Sequence, residues 1–201
     1  MNLASALNLA GMSLVTSFGV SLWLTRLAGC YNWYDQPGDV LKIHLRPIPM
    51  VGGFGVYIAF SLVALTQPGA AVLAGLGLVA LVLGAWDDFH WKSRTVPGTK
   101  FLVQAAGTVA MLVLLWVTGV RLEGAPAWVF WLLGSGFVAG GMNALNLEDG
   151  MDGLAAGEAV LSALGFSLLL HHQGLFGPAL AGVALAGALV GFLALNWHPA
   201  R

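Results

Sequence analysis

Long apolar runs separated by short polar stretches make up most of this 201-residue chain. Runs of about 17–25 apolar residues are typical of helices that cross a lipid bilayer. Only Gln67, Pro68 and Gly69 separate the second run from the third, which predicts a tight turn and a helical hairpin. The pattern predicts an all-α, polytopic integral membrane protein whose residues 1–201 form a single helical membrane domain. We predict seven crossings, near residues 4–25, 51–67, 70–86, 100–119, 127–147, 154–171 and 176–196.

Composition supports this prediction and excludes some partners. Hydrophobic residues account for 58% of the chain and charged residues for 8%, and the mean hydropathy is +0.84, values that exclude an ordinary soluble domain. The formal net charge of −1 provides no basic excess for nucleic acid, and we expect no such partner. The single cysteine, Cys30, has no partner for an internal disulfide, and we interpret it as a packing residue.

The distribution of basic residues predicts the orientation, because Lys and Arg in short loops stay on the cytoplasmic side of a membrane. On the map of seven crossings, only Arg121 falls on the opposite side from the other basic residues. We therefore predict an N-terminus outside and a C-terminus inside a bacterial cytoplasmic membrane. The basic residues on the cytoplasmic side are Arg26, Lys42, Arg46, Lys92, Arg94, Lys100 and Arg201. The aspartates on that side are Asp35, Asp39, Asp87, Asp88, Asp149 and Asp152.

The first polar cluster spans residues 35–53. Pro47 and Pro49 disfavour a helix and predict an extended segment before the second crossing. Lys42, His44 and Arg46 alternate, so in an extended segment their side chains point the same way and together could hold a phosphate. The alternative is a solvated basic loop that only sets the topology.

The second polar cluster spans residues 84–101 and contains the adjacent acids Asp87 and Asp88 at the end of an apolar run. An acid at the rim of a membrane is costly and usually functional. A divalent cation that prefers oxygen ligands, Mg²⁺ or alternatively Mn²⁺, would relieve the repulsion between the two carboxylates. The alternative is a pair of solvated loop acids balanced by nearby basic residues.

The third polar cluster is the sequence NALNLEDGMDGLAAG, residues 143–157. Its amides and carboxylates recur at every third position, and they share one face only if the helix is underwound there. Gly150 and Gly153 favour such a break, because glycine has a weak helix propensity. The alternative is a polar turn in which Asp152 caps the next helix. The four recurring residues are Asn143, Asn146, Asp149 and Asp152.

Three motifs in this order, IPMVGG, WDDF and NALNLEDGMDGLAAG, resemble the polyprenyl-phosphate N-acetylhexosamine-1-phosphate transferases, or glycosyltransferase family 4. The first loop is more similar to the N-acetylglucosaminyl type than to the muramoyl-pentapeptide type. The resemblance implies that the phosphate of a polyprenyl (undecaprenyl) lipid attacks the β-phosphate of a UDP-sugar and releases UMP. The reaction would take place at the cytoplasmic membrane face and contribute to cell-wall or surface-polysaccharide synthesis.

The resemblance also implies a role for each matching residue. Asp87 and Asp88 are the expected metal ligands and, with Asp149 and Asp152, the expected catalytic residues. Substrate contacts are expected from the side chains of Asn143, Asn146, Lys100, Lys42, His44 and Arg46. The expected cofactor is Mg²⁺, and the expected partners are UDP-N-acetylhexosamine, polyprenyl phosphate, the bilayer and, as an option, a second copy of the chain.

Two departures from the family pattern keep alternatives open. Glu148 stands where the family carries an apolar or small residue, so we expect either added repulsion or a cation or basic partner there. NWHPAR, residues 196–201, ends before the family's FMGD-type metal ligand, so we expect a truncated member of a ten- or eleven-crossing fold with little or no activity of its own. The alternatives are a catalytically inactive membrane scaffold and a cation-coupled transporter.

Overall fold

The computed structural model describes residues 2–31, 33–35, 47–90 and 97–198, and the description below is limited to them. Over these residues the chain forms helices joined by short turns, as predicted for an all-α protein. The helices are α1 (Leu3–Tyr31), α2 (Gly52–Ala64), α3 (Ala71–His90), α4 (Pro97–Val117), α5 (Ala127–Glu148), α6 (Leu154–His172) and α7 (Phe176–Asn196). They fall into two compact units, unit 1 (Met1–Ala74 with Glu148–Arg201) and unit 2 (Gly75–Leu147), which are described separately.

Six of these helices are long and apolar enough to cross a membrane, which confirms a polytopic membrane protein. The second predicted crossing differs, because α2 has only 13 residues and a helix of that length spans roughly 20 Å. Its start nevertheless lies against Phe192 near the end of α7, and the following turn places Pro68 against Gly177 near the start of α7. The short helix and its turn together therefore run along most of α7.

Two predicted boundaries need correction. The polar loop predicted from residue 87 begins later, because α3 continues to His90 and includes both Asp87 and Asp88. Helix α1 likewise continues beyond the apolar run to Tyr31, and Cys30 is exposed on it rather than packed in the interior. In both cases the sequence offers no Pro or Gly-rich break at the end of the apolar run, so the backbone remains helical into the polar region.

The extended segment and the tight turn are both confirmed. Strand β1 (Tyr34–Asp35) pairs with strand β2 (Ile48–Pro49) in an antiparallel ladder, and α2 begins at Gly52 directly afterwards. In the predicted turn the N–H of Ala70 donates to the carbonyl oxygen of Gln67 at 3.1 Å. Gly69 adopts a φ of 73° there, in the left-handed region that favours glycine.

Unit 1 is built around α7, which packs against α1, α2 and α6. Gly187 and Gly191 of α7 lie against the backbone of Ala10 and Leu14 of α1, so closely that a Cβ at either glycine would collide with a carbonyl oxygen. Small residues permit such close contact between membrane helices, where dispersion forces rather than the hydrophobic effect hold helices together. The identical order of these contacts along both helices makes α1 and α7 parallel.

The other two helices of unit 1 run antiparallel to α7. The contacts of α2 at Phe192 and Gly177 follow α7 in reverse order, and so do those of α6, where Gly153 lies against Leu193 and Ser167 against Gly182. The end of α1, the start of α2, the turn before α6 and the end of α7 therefore share one end of unit 1. This agrees with the predicted map, in which the corresponding loops share one side.

Unit 2 contains three successive antiparallel helices, the larger part of α3, α4 and α5. Leu83 of α3 lies against Gly107 of α4, and Leu112 of α4 lies against Gly134 of α5. The end of α3, the start of α4 and the end of α5 therefore share one end of this unit. Its opposite end holds Trp116, which contacts the aromatic rings of Phe130 and Trp131.

Candidate functional site

In unit 2, the candidate site begins with an ion pair between the ends of two helices. Lys100, in the first turn of α4, donates a hydrogen bond from Nζ to Oδ2 of Asp87, in the last turn of α3, at 3.2 Å. The antiparallel packing of α3 and α4 places these side chains at the same level. Asp88 is exposed beside Asp87. The structure thus brings together three residues that the sequence assigned to the site.

The two amides of the third cluster lie at the same end of unit 2. Asn143 and Asn146 are exposed in the last two turns of α5, which remains a regular helix up to Glu148. The predicted break therefore follows the amides rather than falling among them. Their carboxamides are free to present both donors and acceptors to a ligand from a rigid helix.

The two carboxylates of the third cluster belong to unit 1, in the turn Asp149–Gly153 that leads into α6. Gly153 is the N-cap of α6 with a φ of 78°, and no side chain caps the helix there within the described residues. This excludes the alternative in which Asp152 serves as the cap. The two glycines of the motif did predict the break itself.

Asp149 has an unusual electrostatic environment for a residue at a turn. Its side chain reaches solvent, but the atoms around it partly desolvate the carboxyl, and this burial raises the pKa of Asp149 above its ordinary value. Desolvation penalises the ionised form because water no longer stabilises the charge. A cation close to the carboxylate would offset this penalty.

Asp152 has a partner that sequence reasoning missed. Nδ1 of His198, just beyond α7, lies 3.2 Å from Oδ2 of Asp152. In the sequence, the segment around His198 is notable only because it resembles the residues that precede the family's FMGD-type motif. The spacing of 46 residues between the two side chains carries no local signal, and only the antiparallel packing of α6 and α7 brings them together.

Glu148, which departs from the family pattern, also has an unexpected neighbour. Its side chain lies near that of Glu158, one turn into α6. We expected a cation or basic partner, but this neighbour in the described part of unit 1 is another acid.

The residues present fit a magnesium ion held jointly with a substrate. Mg²⁺ is usually bound by one or two carboxylates plus substrate phosphates, and Asp87 and Asp88 supply such oxygen donors. Asp87 already attracts the ammonium group of Lys100. Over the described ranges, no group of three or more His, Cys, Asp or Glu could hold a metal by itself.

Three residues of the predicted site lie outside this description. Lys42, His44 and Arg46 fall within residues 36–46, which the structure does not describe. Their expected contacts with phosphate or uridine stay predictions.

Comparison with known proteins identifies the family. The sequence model described as Glycosyl transferase family 4 matches residues 70–201, which include Asp87, Asp88, Lys100 and the turn Asp149–Gly153. The chain belongs to glycosyl transferase family 4. The resemblance predicted from the three motifs is therefore confirmed.

Individual relatives carry names of two kinds. The chain is 41% identical to a phospho-N-acetylmuramoyl-pentapeptide-transferase of Synechococcus sp. (strain RCC307), over 69% of this chain and 44% of that protein. It is 38% identical to a protein of the same name from Bacillus velezensis, over 80% and 57%. It is 28% identical to a probable undecaprenyl-phosphate N-acetylglucosaminyl 1-phosphate transferase of Bacillus subtilis, over 94% and 55%. The chain spans about half the length of the curated relatives it matches, and the choice between the two sugars stays a prediction.

Proposed function

We propose that this chain carries the donor site of a membrane transferase that moves an N-acetylhexosamine-1-phosphate from a UDP-sugar to polyprenyl phosphate. A phosphate oxygen of the lipid forms a bond to the β-phosphorus of the UDP-sugar. The bond from that phosphorus to the bridging oxygen breaks, and UMP leaves. The relatives named above support this reaction class, since their names describe a phospho-sugar transferase and an undecaprenyl-phosphate acceptor.

The observation that carries the proposal is the pair formed by Asp87 and Lys100 beside Asp88. Phosphoryl transfer depends mainly on positioning and on stabilising negative charge. An ammonium group and two carboxylates at the end of two apolar helices provide what a diphosphate and its metal ion require. Lys100 is positioned to contact a phosphate oxygen, because its Nζ is already held at the level of the acids.

The other residues have proposed roles in binding the donor. When bound at Asp87 and Asp88, Mg²⁺ would neutralise the diphosphate and stabilise the leaving group. Asn143 and Asn146 would donate hydrogen bonds from their amides to the nucleotide. Asp149 and Asp152 would face the cation-bound donor, where their charges are compensated.

The proposed site lies on the cytoplasmic side of the cytoplasmic membrane, where UDP-sugars are available. Within each unit, the helix ends that carry the acids are the ends that the positions of Lys and Arg assign to the cytoplasm. A transporter would instead hold its acids near the middle of the bilayer. Asp87 lies in the last turn of α3, and Asp149 and Asp152 lie in a turn, which favours chemistry at the membrane surface.

Donor binding and UMP release test the proposal directly. The protein in lipid nanodiscs is titrated with UDP-N-acetylglucosamine and, separately, UDP-N-acetylmuramoyl-pentapeptide, with and without Mg²⁺. Undecaprenyl phosphate is then added and UMP is measured. We expect Mg²⁺-dependent binding of one donor and little or no UMP release from these 201 residues; any release that is detected should require the lipid.

Paired variants show whether the acids assigned to the site are responsible. Asp88→Asn is expected to abolish the effect of Mg²⁺ on donor binding. Glu123→Gln neutralises an exposed acid in the turn at the opposite end of unit 2 and is expected to leave binding unchanged. Failure to bind either donor, together with a cation flux across proteoliposomes, would overturn the proposal in favour of a transporter.

A further inference from the structure

The turn before α6 lies close to the end of α7 and to the segment that follows it. A Cβ built at Gly153 would be 3.4 Å from Cδ2 of Leu193 and 3.5 Å from the carbonyl oxygen of Asn196. At the preceding position, the carboxylate of Asp152 contacts His198, just beyond α7. The side chains of Asp152 and His198 therefore join the turn to the segment after α7.

The charge of the carboxylate determines which atom donates the hydrogen bond and which atom accepts it. An ionised carboxylate only accepts hydrogen bonds, so Nδ1 of His198 must be the donor to Oδ2 of Asp152. This selects the tautomer with its proton on Nδ1 when the imidazole is neutral. The side chain of Asp152 is 26% exposed and that of His198 is 82% exposed, so the imidazole approaches the carboxylate from solvent and leaves the rest of the turn accessible.

We propose that His198 is a positioning residue that holds the carboxylate of Asp152 in the orientation needed to bind the nucleotide diphosphate. This inference rests on the proposed function. An aspartate carboxylate rotates about two side-chain bonds. A hydrogen bond from His198 restricts that rotation, and less conformational freedom is then lost when the ligand binds. His198 does not touch the ligand itself, so its effect is transmitted entirely through Asp152.

UDP with Mg²⁺ is the probe, because both candidate donors contain it. In the intact chain, His198→Ala is expected to weaken UDP binding about two- to fivefold, the range of an exposed ion pair. His198→Asn keeps an N–H donor near the position of Nδ1 and is expected to restore the affinity. His198→Gln places its donor farther from the backbone and is expected to behave like His198→Ala. His172→Ala removes an exposed histidine at the other end of unit 1 and is expected to have no effect.

A double-mutant cycle separates positioning from a structural role. In the Asp152→Asn background, His198→Ala is expected to have no further effect on the affinity, and the melting temperature of His198→Ala is expected to match the wild type. Equal effects of His198→Ala in both backgrounds, or no rescue by His198→Asn, would overturn the positioning role. If the wild type binds no UDP, the proposed function itself fails; if Asp152→Asn weakens binding and His198→Ala does not, only this inference fails.

Discussion

At the scale of single residues, Lys100 occupies the place beside Asp87 where a metal ion would bring positive charge. Its ammonium group and a divalent cation bound at Asp87 and Asp88 repel each other. In the absence of substrate, the affinity of Asp87 and Asp88 for a metal ion should therefore depend on the positive charge of Lys100.

We expect Lys100→Gln to bind Mn²⁺ more tightly than the wild type in the ligand-free protein, by at least roughly fivefold, since two unit charges 4 Å apart in water repel by about 1 kcal/mol and Mn²⁺ carries two. Electron paramagnetic resonance of free Mn²⁺ measures this without turnover. Arg121→Gln removes the same charge at the far end of unit 2 and serves as the control. Weaker Mn²⁺ binding in Lys100→Gln would contradict the competition and indicate that the lysine supports the metal site.

Asp149 has a pH-dependent effect on stability. Because burial raises the pKa of Asp149, the folded protein holds this proton more tightly than the unfolded chain does. The contribution of the carboxyl to stability is present at low pH and is lost as the pH rises through the raised pKa. Above the raised pKa, the ionised side chain therefore disfavours the folded state when no ligand is bound.

We expect Asp149→Asn to melt a few degrees above the wild type at pH 7–8, with the difference narrowing as the pH falls toward the ordinary range of a carboxyl, near about 4. Thermal unfolding in detergent across this pH range measures the difference. Glu123→Gln, at an exposed position, should show no such trend. A lower melting temperature for Asp149→Asn at neutral pH would mean that the charge has a stabilising partner.

At the scale of secondary-structure elements, the contact between α1 and α7 depends on two glycines. Gly191 lies against the carbonyl oxygen of Leu14 and the N–H of Phe18, with no room for a side chain. Gly165, on α6, is also helical but has no atom within 4 Å of the position that a Cβ would occupy. Alanine substitutions at the two positions therefore separate the effect of helix propensity on stability from the effect of helix packing.

We expect Gly191→Ala to lower the free energy of unfolding by about 1–3 kcal/mol through overpacking, although alanine is about 1 kcal/mol better than glycine within a helix. Gly165→Ala should be neutral or stabilising. Thermal or denaturant unfolding in detergent compares the two variants. Equal stabilisation by both would show that α1 and α7 separate easily to accept a methyl group.

At the scale of the whole molecule, the topology depends on whether α2 and its turn cross the membrane. The turn after α2 lies beside the start of α7, so the residues between α2 and α3 should be on the same side as those between α6 and α7. The turn between α5 and α6 lies at the other end of α7. Three positions report on these turns: the half-buried Gln67 and the exposed Gln173 and Met151.

We expect cysteines at Gln67 and Gln173 to react with a membrane-impermeant maleimide added outside intact cells, and a cysteine at Met151 to react only after the membrane is opened. Cys30→Ser provides the background, since Cys30 is exposed. Labelling at Gln173 without labelling at Gln67 in intact cells would show that α2 returns to the side on which it begins.

Much of the fold follows from the linear pattern of apolar residues. Over the residues that the structure describes, each apolar run contains a helix, because every backbone group in a bilayer must find its hydrogen bond within the segment. Their ends were less predictable: α3 continues through Asp87 and Asp88, since a carboxylate at a membrane rim does not stop a helix.

The sequence by itself determined the positions of the apolar helices, the family and the type of residue in each polar cluster, because apolar periodicity and motif order are local properties. The tertiary structure decided the partners. Packing between antiparallel helices brings Lys100 to Asp87 and His198 to Asp152. These contacts depend on the relative shift of neighbouring helices, which is set by where glycines allow close approach, and no local pattern in the chain encodes that shift.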